Sequence, residues 1–67
     1  MFEFNNNILY VYSLNKIINV SSDYISLSSK KMIIDIKGDG LIISSYEDRE
    51  VSIKGRIDSI VMRYMNG

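Results

Sequence analysis

Apolar residues arrive along this chain in short runs, at a spacing of about eight to ten residues. Polar or glycine-containing segments divide the runs. That rhythm leaves little room for helices and favours short strands joined by tight turns. The runs are Ile8–Tyr12, Lys16–Val20, Tyr24–Ser28, Met32–Ile36, Leu41–Ser45, Glu50–Lys54 and Ile57–Tyr64. Within several of them the period is two. Val51 and Ile53 alternate with Glu50, Ser52 and Lys54, and Ile25 and Leu27 alternate with Ser26 and Ser28. Met32, Ile34 and Ile36 share a face opposite Asp35. Alternation of this kind fits strands with one wet face.

Residue usage agrees. Ile is the commonest residue, and its branched Cβ fits a pleated sheet better than a helix. Ala, the best helix former, is absent. The expected fold is therefore all-β: a small antiparallel β-sandwich-like domain of about seven short strands. A small barrel or β-roll remains an alternative. The expected turns are Ser13-Leu14-Asn15, Ser21-Ser22-Asp23, Ser29-Lys30-Lys31, Gly38-Asp39-Gly40 and Glu47-Asp48-Arg49. The last run is ambiguous, because Ile57, Ile60, Val61 and Tyr64 also fit a helical period. Its Ile and Val content, and Gly55 just before it, favour strand.

At 67 residues the chain forms one domain, spanning residues 1–67. A chain this short buries only about 60% of its unfolded surface. A single core of that size contributes no more than about 3–5 kcal/mol. Without cysteine no disulfide can form, and without cysteine or histidine the usual zinc ligands are missing. The remaining staples are a homo-oligomer, a protein partner or unusually good β-packing, and association is the expected one. Basic and acidic residues number eight each, so the net charge is zero. Nucleic-acid binders carry a basic excess or stripe, which this chain lacks. No apolar stretch approaches the roughly 20 residues of a membrane span. Met1-Phe2-Glu3-Phe4-Asn5 has neither a basic nor an apolar leader region. A cytoplasmic location is expected. Plentiful Ile, Asn, Lys and Tyr, without Ala or Pro, point to an A/T-rich bacterial genome.

Four features invite a chemical reading, and each has a simpler one. Ser28-Ser29-Lys30-Lys31 has the S-x-x-K spacing of penicillin-recognising enzymes. Ten serines among so many basic residues yield such a match by chance, and no histidine can serve as base. Glu47, Asp48 and Glu50 could offer oxygens to a cation, but Arg49 sits among them and the spacing matches no known loop. Gly38-Asp39-Gly40 leads into a strand, not the helix a phosphate loop requires. Tyr10 and Tyr12 could stack on bases, yet only Lys16 lies nearby. Asn19-Val20-Ser21 is a glycosylation sequon that carries no weight without a secretion signal. The expectation is a non-enzymatic protein without catalytic, metal-ligating or cofactor-binding residues. The rival reading is a small β-barrel that binds nucleic acid.

Several segments then match one pattern. Leu9-Tyr10-Val11-Tyr12 has the look of an opening strand, followed by a polar turn, Lys16-Ile17-Ile18 and Ile25-Ser26-Leu27. The run MIIDIKGDGLIISSYEDREVSIKGRIDSI, from Met32 to Ile60, reads as strand, glycine turn, strand, acidic link and an I-x-I-x-G-[KR]-I-x-S-I ending. Val51, Ile53, Gly55, Arg56, Ile57, Ser59 and Ile60 fit that ending position by position. From Leu9 onward the chain resembles the YabP/YqfC family of bacterial sporulation proteins. The resemblance implies a small sandwich-like fold and a structural role in building the spore envelope (coat and cortex), without enzymatic activity. It also implies a mother-cell location at the forespore surface and a membrane-associated sporulation protein as partner.

A small open sheet leaves unpaired edges that can template another strand. The candidate interaction edge is Ile8, Leu9, Tyr10, Val11 and Tyr12, because the family carries more chain before it. Either the chain is a minimal member of that family, or the family's first strand is supplied by Phe2 to Phe4 or by a partner.

Overall fold

The computed structural model describes residues 2–64. All six elements are strands: β1 (Phe2–Asn5), β2 (Ile8–Val11), β3 (Leu14–Val20), β4 (Tyr24–Ser29), β5 (Met32–Glu47) and β6 (Glu50–Tyr64). They form one antiparallel sheet in the order β1-β2-β6-β5-β4-β3. The sheet is open, with β1 and β3 at its ends, so among the described residues the barrel alternative does not hold. The ambiguous run Ile57–Tyr64 is strand.

Six strands stand where seven were expected: two expected pairs are continuous, which leaves five, and Phe2–Asn5 adds one that was not expected. Met32–Ile36 and Leu41–Ser45 both belong to β5, and Glu50–Lys54 and Ile57–Tyr64 both belong to β6. Gly38-Asp39-Gly40 is therefore not a hairpin turn. It lies inside a long hairpin whose ladder shifts register three times. Asp58 is the extra residue opposite the Lys37–Gly38 step, and Ser44 is extra opposite the Ser52–Ile53 step. Gly40 and Leu41 together face Gly55. Each such bulge bends a strand and increases its twist. Glycine is required at the bend, since a Cβ on Gly38 would lie on the carbonyl oxygen of Arg56. Gly55 has φ 123°, and a Cβ there would meet the Gly40 carbonyl oxygen at 2.5 Å.

The bend turns one sheet into two facing halves. β1, β2, the start of β6 and the end of β5 make one half. The end of β6, the start of β5, β4 and β3 make the other. A single flat sheet leaves both faces wet, yet Leu9, Val11, Leu14, Ile25, Leu27, Ile34, Ile36, Leu41, Val51 and Ile53 form one buried cluster drawn from both halves. Backbone bonds at the corners fasten the halves: Leu41 N–H donates to the Ser22 carbonyl at 2.8 Å and Gly38 N–H to the Asp23 carbonyl at 3.1 Å.

Two hairpins use two-residue turns with left-handed backbone at both positions. Asn6 and Asn7 have φ 53° and 62°, and Asp48 and Arg49 have φ 52° and 61°. That geometry matches the strand twist of a tight hairpin, and Asn and Asp tolerate it better than most residues. The Asn6-Asn7 turn is what creates β1, a strand of its own in this fold.

Candidate interaction edge

The segment expected to be an open edge is not one. β2 pairs with β1 on one side and with β6 on the other, with Leu9 opposite both Phe4 and Ile53. Leu9 and Val11 are fully buried, while Ile8, Tyr10 and Tyr12 are half-buried. The reason is local. The Asn6-Asn7 turn folds Phe2–Asn5 back along β2 and supplies the outer neighbour that a partner would otherwise have given.

Among the described residues, β1 and β3 each have one unpaired side as the sheet's outer strands, and a further open edge, the one beside a groove, runs along β6. β2 is short and reaches only Val51, Ser52 and Ile53. β6 continues past Gly55, and from Ile57 to Tyr64 it pairs with β5 alone among the described residues. Its other side presents free backbone donors and acceptors, which is the template an added strand needs. Directly opposite residues share a face. Ile60 and Met62 therefore share the core face with their partners Ile36 and Ile34, and Val61 and Arg63 share the outer face with Asp35 and Ile33. Beyond the edge the core is incompletely covered. An open, mostly apolar groove of about 290 Å³ is lined by Phe4, Ile57, Asp58, Ser59 and Ile60. Phe4 is 53% exposed, Met62 44% and Tyr64 79%.

A polar network holds this edge in place from the outer face. Asp35 accepts from Tyr24 Oη and Ser26 Oγ on Oδ1, each at 2.8 Å, and from Arg63 Nε on Oδ2 at 2.8 Å. The bond from the Arg63 guanidinium holds the Asp35 carboxyl below its ordinary range, with the two hydroxyls assisting and burial opposing. Three strands meet at this carboxylate, so β6 is pinned to β5 and β4 while its far side stays open.

The features that invited a chemical reading take these places in the fold. Ser28 and Ser29 are buried in β4, and the Ser29 hydroxyl faces the carbonyls of Tyr12 at 2.9 Å and Ser13 at 3.0 Å. Lys30 and Lys31 form the β4–β5 turn. Glu47, Asp48 and Glu50 are exposed around the β5–β6 turn. Among the described residues, no three acidic side chains are grouped to hold a metal ion. Tyr12 Oη donates to Glu3 Oε1 at 3.0 Å, which raises the phenol's pKa. The Ser44, Ser45 and Ser52 hydroxyls meet at 2.6 Å, a cluster that the sequence did not announce because the bulge at Ser44 creates it. Among the described residues, no helix is long and apolar enough to cross a membrane.

No protein-family model matches the chain, and no curated protein matches it.

Proposed function

We propose that this protein is a non-enzymatic assembly protein that binds other protein chains by strand addition along Ile57–Tyr64. The observation that carries the reading is the unpaired β6 edge beside an uncovered apolar groove. Backbone groups on such an edge give affinity, and the groove beside it receives side chains of the added strand. Phe4, half exposed, supplies apolar surface to the groove, and Met62 is partly exposed further along the same strand edge.

The biological setting comes from the resemblance to the YabP/YqfC sporulation proteins. The segment that fits the family's ending, Val51 to Ile60, runs from the buried start of β6 through Gly55 into the open edge. The protein would then act in spore envelope assembly, in the mother-cell cytoplasm at the forespore surface. A membrane-associated sporulation protein is the partner class that the resemblance supplies.

The test is fluorescence microscopy of a tagged copy in the native host through sporulation, beside its Met62→Lys variant. An inward-pointing charge on an edge strand blocks strand addition, and Met62 is exposed enough to accept one without loss of fold. A ring or cap at the forespore that Met62→Lys disperses supports the proposal. Diffuse signal in growing and starved cells alike refutes the sporulation setting. A ring that Met62→Lys leaves intact refutes the edge.

A further inference from the structure

We infer that the edge also takes a second copy of this chain, paired antiparallel about a twofold axis at Val61. This deepens the strand-addition reading and rests on it. The need for a second copy comes from size: the described residues form a core of ten buried apolar side chains, which is small for independent stability in a chain without cysteine to form a disulfide.

The choice of register comes from the strand itself. In a symmetric antiparallel pair one residue faces its own copy, and residues equally far to either side face each other. With Val61 on the axis, Ile60 faces Met62 on the groove face and Ser59 faces Arg63 on the outer face. Within two residues of the axis, apolar groups meet apolar groups and polar groups meet polar groups; one step further out Asp58 faces Tyr64, whose hydroxyl can donate to a carboxylate. The neighbouring registers do not achieve this. Ile60 on the axis sets Asp58 against Met62 and Ile57 against Arg63. Met62 on the axis sets Val61 against Arg63. Arg63 on the axis brings two guanidinium groups together, which like charge disfavours. Ser59 on the axis drives the second copy's Tyr64 up to Lys54, next to Ile53, which β2 already pairs. Val61 is half exposed, as a residue awaiting its own copy must be.

Pairing at Val61 joins two sheets edge to edge, and no bond is made or broken. The absence of cysteine makes the test direct. Single variants Ser59→Cys, Val61→Cys and Arg63→Cys are purified and oxidised in air, and disulfide dimer is followed on non-reducing gels. Directly opposed Cα atoms lie about 4.5–5.5 Å apart, within disulfide range. The two copies of residue 59, or of residue 63, lie about 13 Å apart along the strand. Val61→Cys is expected to cross-link roughly tenfold faster than either neighbour, because only its geometry permits the bond. Sedimentation of the cysteine-free protein should show a dimer that Met62→Lys converts to monomer. Monomer at all concentrations, or cross-linking without preference for position 61, overturns the inference. In that event the forespore test of Met62→Lys still separates a lost self-pairing from a lost edge.

Discussion

Leu14 and Arg49 exchange hydrogen bonds in both directions. The Leu14 N–H donates to the Arg49 carbonyl at 2.9 Å, and Arg49 Nε donates back to the Leu14 carbonyl at 3.1 Å. Arg49 Nη2 also reaches Asn15 Oδ1 at 3.2 Å. The guanidinium thus stands in for a missing ladder N–H, joining the β5–β6 turn to the point where the chain passes from β2 to β3. The left-handed backbone at Arg49 is held in place by these contacts.

Replacing Arg49 with Ala should leave the carbonyl beside buried Leu14 without its donor. The expected loss is about 1–2 kcal/mol, read from the urea midpoint. Arg49→Lys should recover little of it, since one ammonium cannot reproduce the planar fork. A full recovery by Lys would mean that charge, not the paired geometry, is what matters.

The bend makes a sharper prediction. Gly38→Ala should cost at least about 3 kcal/mol or prevent folding, because its Cβ coincides with the Arg56 carbonyl and backbone on both strands would have to move. Gly40→Ala is the control. A Cβ there meets nothing within 4 Å, so the cost is limited to the left-handed backbone, about 1–2 kcal/mol. Equal effects in thermal melts would show that the close crossing at Gly38 is not what shapes the bend.

Local alternation made much of this fold legible. Met32, Ile34 and Ile36, or Val51 and Ile53, show which side chains enter the core, because a strand's face is written at period two. Continuity between strands is not written that way. A bulge at Asp58 or Ser44 changes face without a turn residue, so Gly38 and Gly40 read as a hairpin although β5 runs through them. The open edge was equally hidden. That Ile57–Tyr64 lacks a neighbour depends on how short β2 is, a fact about pairing that no local window contains. Asp35 is similar: Tyr24 and Ser26 come to it from β4 and Arg63 from β6, with no common spacing.

Since β2 lies inside the sheet, Val11→Pro should unfold the protein. Val11 is fully buried and faces Phe2 on one side and Val51 on the other. Proline removes a ladder donor and is tolerated only at edges or bulges. The variant should lose cooperative unfolding and near-ultraviolet circular dichroism. A folded Val11→Pro monomer would contradict the interior position of β2.

Asp35 sets the behaviour in acid. Its folded pKa is lowered, chiefly by the bond from Arg63. The unfolded chain therefore takes up a proton at higher pH than the folded one. The stabilisation is fully present above the unfolded value of about 4 and is lost as the pH falls through the lower folded value. Wild-type protein should lose more of its urea midpoint between about pH 5 and pH 2 than Asp35→Asn does, because Asn has no proton to gain. Arg63→Gln should behave in the same direction, having lost the main cause of the shift. The first strand to loosen in acid should be the end of β6, since Arg63 is its outer-face tie to β5. Amide exchange measured along Ile57–Tyr64 against Met32–Lys37 would show it, and equal exchange in both segments as the pH falls would remove Asp35 from this role.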